Sequence, residues 1–160
     1  MNMRMLDESR KLDALGLKPE TLSAYKVLCL PENIFSSGTP IELLEPSDSI
    51  DLGKLLKEAG ITCGTARDLG LQTKILERRA NDKWLGVVWI RDNVATGLVV
   101  GVISSLIAAT IYSKITAPVG KPQPQIHLDL YIERTNSVSK ISYNGDGETL
   151  VKVLKSLEEH

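Results

Sequence analysis

The sequence predicts an α+β protein in three parts: a helical N-terminal region, one long apolar helix of transmembrane length, and a small C-terminal ββα unit. Three observations carry this. Val94 to Tyr112 has no charged side chain, and at about 1.5 Å per residue it approaches the roughly 30 Å of hydrocarbon in a bilayer. Pro118, Gly120, Pro122 and Pro124 follow and cannot continue a helix, so they mark an extended linker. From Ile126 to Glu133 apolar and polar residues then alternate with the period of a half-buried strand. The expected organisation is a mainly helical region over 1–83, an apolar membrane-type segment over 84–116, a linker over 117–125 and a ββα unit over 126–160.

The elements follow in order. Leu6, Leu12 and Leu15 allow a short helix that Gly16 ends, and Pro19 suits the first turn of a second helix through Leu22, Tyr25 and Leu28. Pro31 and the run from Ser36 to Pro40 break the pattern, and Ile41 to Leu44 is short and apolar enough for a strand or connector. Ser47 can cap a helix carrying Ile50, Leu52, Leu55 and Leu56, with Gly60 as its stop. Thr62 or Thr65 can cap a further helix with Ala66, Leu69, Ile75 and Leu76 on one face. The N-terminal half is therefore expected to be mainly α. Beyond the linker, Ile126 to Glu133 and Val138 to Tyr143 read as strands, residues 144–147 as a loop, and Glu148 to Glu159 as a helix buried through Leu150, Val151, Leu154 and Leu157. Such a unit is too small to stand alone and should dock on the rest of the chain or on another copy.

Composition sets limits on function. Hydrophobic residues make up 42% and charged residues 24% of the 160, close to a soluble average, so membrane character must be local. A net charge of -1 gives no general attraction to nucleic acid or anionic lipid. Cys29 and Cys63 are in no CxxC pair and lack a histidine at metal-ligand spacing, so they are expected as reduced, mostly buried thiols rather than a disulfide scaffold or zinc site. Met1 to Lys26 has no continuous apolar core and does not read as a signal peptide, which puts the N-terminal half in the cytoplasm.

The flanks of the apolar run agree with a membrane span. Trp84, Trp89 and Arg91 precede it and Tyr112 and Lys114 close it, residue types that favour the membrane interface. The excess of Lys and Arg before the run favours a cytoplasmic N-terminal side. Gly97, Gly101, Ser105 and Ala109 recur every fourth position, a small-residue stripe suited to a helix–helix interface. The competing reading is a buried helix at the centre of a soluble domain, with the tryptophans as core residues.

Other candidates are fewer. Asp51 to Leu69 has the outline of a helix-turn-helix with Gly60 at the turn, although its second helix offers one cation, Arg67, beside Asp68, and phosphate binding normally needs several. Gly145, Asp146 and Gly147 lie between a strand and a helix N-terminus, a candidate anion-binding position, for which Asp146 as a helix cap is the simpler account. His127, Asp129 and Glu133 share a strand face, as polar residues do on any solvated face. No Ser-His-Asp or Cys-His arrangement stands at informative spacing, so no catalytic residue, metal site or cofactor is expected.

Glu77-Arg78-Arg79 leading to Trp84-Leu85-Gly86, together with the C-terminal strands, their Tyr143-Asn-Gly-Asp step and the following helix, resembles a pattern found in small bacterial proteins of unknown function, some of which belong with antiphage defence gene sets. The resemblance covers roughly the second half of the chain. It implies a cytosolic sensing part joined to a membrane-acting part, and it transfers no functional residue. The expected function is a non-enzymatic protein anchored in the bacterial inner membrane, an oligomeric effector or signalling component with the bilayer, further copies of itself and a partner protein as contacts and no nucleic acid. The alternative is a soluble interaction module, with helix-turn-helix nucleic-acid binding as one form, built round the apolar helix.

Overall fold

Val27–Leu30 is a run of four apolar side chains with no alternation, the pattern of a strand covered on both faces, and all four are buried in strand β1. The computed structural model describes residues 3–36, 42–78, 82–91, 96–115, 125–134 and 137–158. In chain order the other elements are α1 (Met3–Ala14), α2 (Pro19–Leu22), β2 (Leu43–Pro46), α3 (Ser47–Glu58), β3 (Cys63–Thr65), β4 (Thr73–Leu76), β5 (Lys83–Ile90), α4 (Thr96–Ile115), β6 (Gln125–Arg134), β7 (Ser137–Asp146) and α5 (Gly147–Glu158).

Among the described residues these form an α+β fold around a mixed five-stranded sheet of order β3-β1-β5-β6-β7. β1 runs parallel to β3 and β5 to β6, while the β1/β5 and β6/β7 pairs are antiparallel. Parallel neighbours require long crossovers; α3 lies on the one from β1 to β3 and α4 on the one from β5 to β6. β2 and β4 pair in parallel as a separate ribbon.

Alternation along the central strands sorts their side chains to two cores. Val27, Cys29, Val88, Ile90, Ile126, Leu128, Leu130 and Ile132 pack beneath α3, α4 and α5. Leu28, Leu30, Val87, Trp89 and Tyr131 face α1, α2 and the segment after β1. Leu85 lies two positions from Val87 yet joins the α3–α5 core. The reason is Gly86, whose φ of 68° accompanies a register shift between Trp84 and Val87 against β6. One extra residue in a strand reverses the faces beyond it.

The membrane-spanning helix expected from the sequence is overturned. Among the described residues no helix is long and apolar enough to cross a membrane. α4 instead belongs to the core: Val99, Val100, Ile103 and Ile107 are buried in the cluster shared with α3, α5 and the sheet, while Gly97, Leu98, Gly101 and Ser105 face outward. The preceding stretch expected as membrane-type is the central strand β5, and Trp89 within it is 3% exposed.

The mainly helical N-terminal half is also corrected. The helix expected through Leu28 stops at Leu22, and four short strands of three or four residues each, β1 to β4, flank α3 within residues 27–76. The helix-turn-helix outline forms only its first helix, α3; Gly60, at φ 86°, ends it as expected, but Cys63–Thr65 then pairs with β1 as a strand. Of the connector Ile41 to Leu44, Leu43 and Leu44 belong to β2 and Ile41 lies outside the described residues. The ββα unit forms with the expected order and docks through β6 on β5. β7 runs on through Asn144, Gly145 and Asp146, where a loop was expected.

Candidate functional site

α1 and α2 are short and do not tile their side of the sheet, and a cleft of about 540 Å³ remains between them and the strands. Leu12 of α1 faces the sheet; Gly16, at φ 84°, turns the chain so that Leu17 follows it inward, and Pro19 opens α2, which buries Leu22. These leucines with Leu28 of β1 and Trp89 of β5 make an apolar floor. Arg10, Asp13, Arg91 and Glu133 complete the lining.

The polar part of the cleft follows from the sheet. Ile90 pairs with Ile132, so the residues that follow, Arg91 and Glu133, come together at the strand ends. The Arg91 Nε lies 3.4 Å from a Glu133 carboxylate oxygen, and the Arg91 backbone N–H donates to the Lys26 carbonyl at 2.8 Å. Trp89 is fixed by ring contacts: it stacks on Tyr131 with centroids 5.2 Å apart and meets Phe35 edge-on at 5.7 Å. Two buried donors, Trp89 Nε1 and Arg91 Nη1, have no hydrogen-bond partner. Both atoms are enclosed, and a buried unpaired donor costs about 1–3 kcal/mol. Among the described residues the lining contains no serine, threonine, cysteine or histidine.

The other sequence candidates do not converge on this cleft as a group. His127 sits at the far end of β6, its ring nitrogens 2.5 Å from Asn144 Oδ1 and 3.2 Å from Asp82 Oδ2. Trp84 stacks on the His127 ring at 3.7 Å, and the Arg78 guanidinium lies 3.9 Å from the Trp84 ring while pairing with Glu32 at 2.8 Å. The result is a clasp tying the β4–β5 connection to β6 and β7. Asp129 accepts a hydrogen bond from the Ser142 hydroxyl at 2.6 Å. Among the described residues no group of His, Cys, Asp and Glu is placed to hold a metal.

At the α5 N-terminus, Asp146 accepts from the Thr149 N–H and hydroxyl, both at 2.9 Å. Those bonds hold its carboxyl below the ordinary value, and the carboxylate occupies donors that a bound anion would need. Gly145 lies beside the Tyr143 hydroxyl, which a Cβ would meet at 2.8 Å, and Gly147 is buried at the helix start. On α4, Gly97, Gly101 and Ser105 are exposed, and the Ser105 hydroxyl donates to the Gly101 carbonyl at 2.9 Å. The side chains of Ala109, Tyr112 and Lys114 lie outside what the structure describes.

Trp89 and Arg91 stood out in the sequence as membrane-interface residues, and the structure places both in the cleft. The remaining lining comes from five further places in the chain, with no spacing to connect them. The available signal was a charge directly after a buried strand, Arg91, and another at the end of an alternating one, Glu133. Comparison with protein-family models, curated proteins and solved structures finds no match.

Proposed function

We propose that the protein is a ligand-binding interaction module, and that its cleft holds a small amphipathic molecule with an apolar body and a carboxylate or similar acceptor head. The observation that carries this is the apolar floor of Leu12, Leu17, Leu22, Leu28 and Trp89 with the partly exposed Arg91 at its edge. The cleft volume of about 540 Å³ suits a small organic molecule. The leucines of α1 and α2 supply non-directional affinity in proportion to buried apolar area. The head group supplies orientation through a charge-assisted hydrogen bond to the exposed part of the Arg91 guanidinium. Arg91 is held towards the cleft by Glu133, so ligand and Glu133 share one guanidinium.

Decanoate tests this. The chain has two tryptophans, so in a Trp84→Phe background Trp89 is the reporter. We expect a saturable change in its emission below the micellar concentration, weaker binding for butanoate, and a loss of about tenfold in affinity for Arg91→Ala, the order of one charge-assisted hydrogen bond. Absence of saturation, or equal affinity in Arg91→Ala, overturns the reading.

A further inference from the structure

On the opposite face of the sheet, away from the cleft, lie the chain's two cysteines. Cys29 of β1 and Cys63 of the neighbouring parallel strand β3 point into the same core, and their sulfurs are 3.4 Å apart. Both are free thiols. A disulfide needs about 2.05 Å between sulfurs, so closing the gap takes a further approach of about 1.3 Å. The register sets Val27 opposite Cys63 and Cys29 opposite Thr65, so the two cysteines are diagonal neighbours offset by two residues.

The two sulfurs differ in surroundings. Cys63 lines a surface hollow of about 400 Å³ together with Tyr25, Lys57, Thr62 and Asp68. Cys29 is not part of that lining, although the two residues are alike in exposure, 1% for Cys29 and 2% for Cys63. Lys57 stands over the hollow, paired with Asp68 at 2.7 Å. The hydrogen bond from Cys29 and, against the effect of burial, the Lys57 charge hold the Cys63 thiol below its ordinary value of 9.0. The Cys63 partner and complete burial push the Cys29 thiol well up. Cys63 is therefore the sulfur at the wall of the hollow, and Cys29 lies behind it in the core.

We propose that Cys63 and Cys29 form a thiol-oxidation site, in which Cys63 attacks a hydroperoxide entering the hollow and Cys29 resolves the product as a disulfide between β3 and β1. In the first step the Cys63 sulfur bonds to the terminal peroxide oxygen and the O–O bond breaks. Cys63 becomes a sulfenic acid, and the other oxygen leaves as water or an alcohol with the thiol proton. In the second step the Cys29 sulfur attacks the Cys63 sulfur, the S–O bond breaks and water leaves with the second proton. Two thiols supply the two electrons that reduce the peroxide, and a thiol reductant reverses the product.

The test exposes the reduced full chain to a small excess of hydrogen peroxide and follows intact mass and digested peptides. The expected result is a loss of about 2 Da, for two hydrogens, with a peptide linking Cys29 to Cys63 and recovery on adding dithiothreitol. Cys29→Ser should stop at a sulfenic acid on Cys63 that dimedone traps. Cys63→Ser should react at least about tenfold more slowly, because the remaining thiol is buried and protonated. Dimedone on Cys29 ahead of Cys63, links between chains only, or an unchanged mass under conditions that oxidise the denatured chain would overturn the proposal. Where a variant fails to fold, the linked peptide from the unaltered protein decides alone.

Discussion

The two faces of the five-stranded sheet are covered in different ways. On one, α3, α4 and α5 meet the strands through aliphatic side chains, and Leu52, Leu56, Leu85, Val88, Ile103 and Leu154 are wholly buried. On the other, a helix of twelve residues and one of four share the work with an aromatic group of Phe35, Trp89 and Tyr131, and a cleft stays open. The comparison teaches where each property resides. Close packing of aliphatic chains gives stability, whereas incomplete cover with charged residues at its edge leaves an apolar floor open to a ligand.

The comparison is sharpest in a pair of truncations. Ile103→Ala on the closed face should cost about 2–5 kcal/mol, and Leu22→Ala, beside space that already exists, should fall at the low end of that range; the midpoints of urea unfolding decide it. Equal losses would mean that the two faces are packed alike. Gly86→Ala comes next. Its φ is 68° and a Cβ would meet the Leu30 carbonyl oxygen at 3.0 Å, so a cost of about 1–2 kcal/mol is expected from the left-handed conformation alone. Because the bulge sends Leu85 to one core and Val87 to the other, both faces should loosen together, seen as raised amide exchange in α4 and in α2.

A smaller effect, of opposite sign, is expected on the outer side of α4. A Cβ at Gly101 meets nothing within 4 Å, so Gly101→Ala should stabilise the helix by about 0.5–1 kcal/mol. A loss instead would show that this stripe is covered by another copy, and sedimentation would report it.

The smallest effect concerns the Lys57–Asp68 pair at the edge of the closed face. Burial pushes Asp68 up, but the Lys57 bond and the Thr65 N–H and hydroxyl outweigh it and leave the carboxyl below its ordinary 3.8. The bond to Asp68 raises Lys57 above 10.5. A depressed carboxyl contributes stability above 3.8 that is lost as pH falls through and below it; a raised lysine contributes below 10.5 and loses it as pH rises further. Both groups are partly exposed, so the plateau between should stand at most about 1 kcal/mol above either flank. Asp68→Asn should flatten the acid side in a series of thermal melts.

Much of the C-terminal third was legible. Ile126, Leu128, Leu130 and Ile132 alternate with polar residues because one strand face meets aliphatic cover, and α5 shows its buried stripe at Leu150 and Leu154. The N-terminal strands were not, since Val27–Leu30 is buried on both faces and so has no period, and Cys63–Thr65 is too short to show one. α4 misled for a related reason. Its outward face carries Gly97, Leu98, Gly101 and Ser105 rather than charges, so the burial of its other face left no contrast in the sequence. Of the cleft, Trp89 and Arg91 were visible as unusual residues, but their neighbours Leu12, Leu17 and Leu22 are brought to them only by tertiary folding.

The antiparallel seam between β1 and β5 has a consequence for synthesis. Its partners, Val27 with Ile90 through Leu30 with Val87, are about sixty residues apart in the chain. On a ribosome adding roughly 5–20 residues per second, β1 waits roughly 3–12 s for that partner, whereas β6 and β7 pair outward from Arg134 and Ser137 almost as they emerge. For those seconds four consecutive apolar residues present an open strand edge, which makes the first third of the nascent chain the part most dependent on protection from its neighbours.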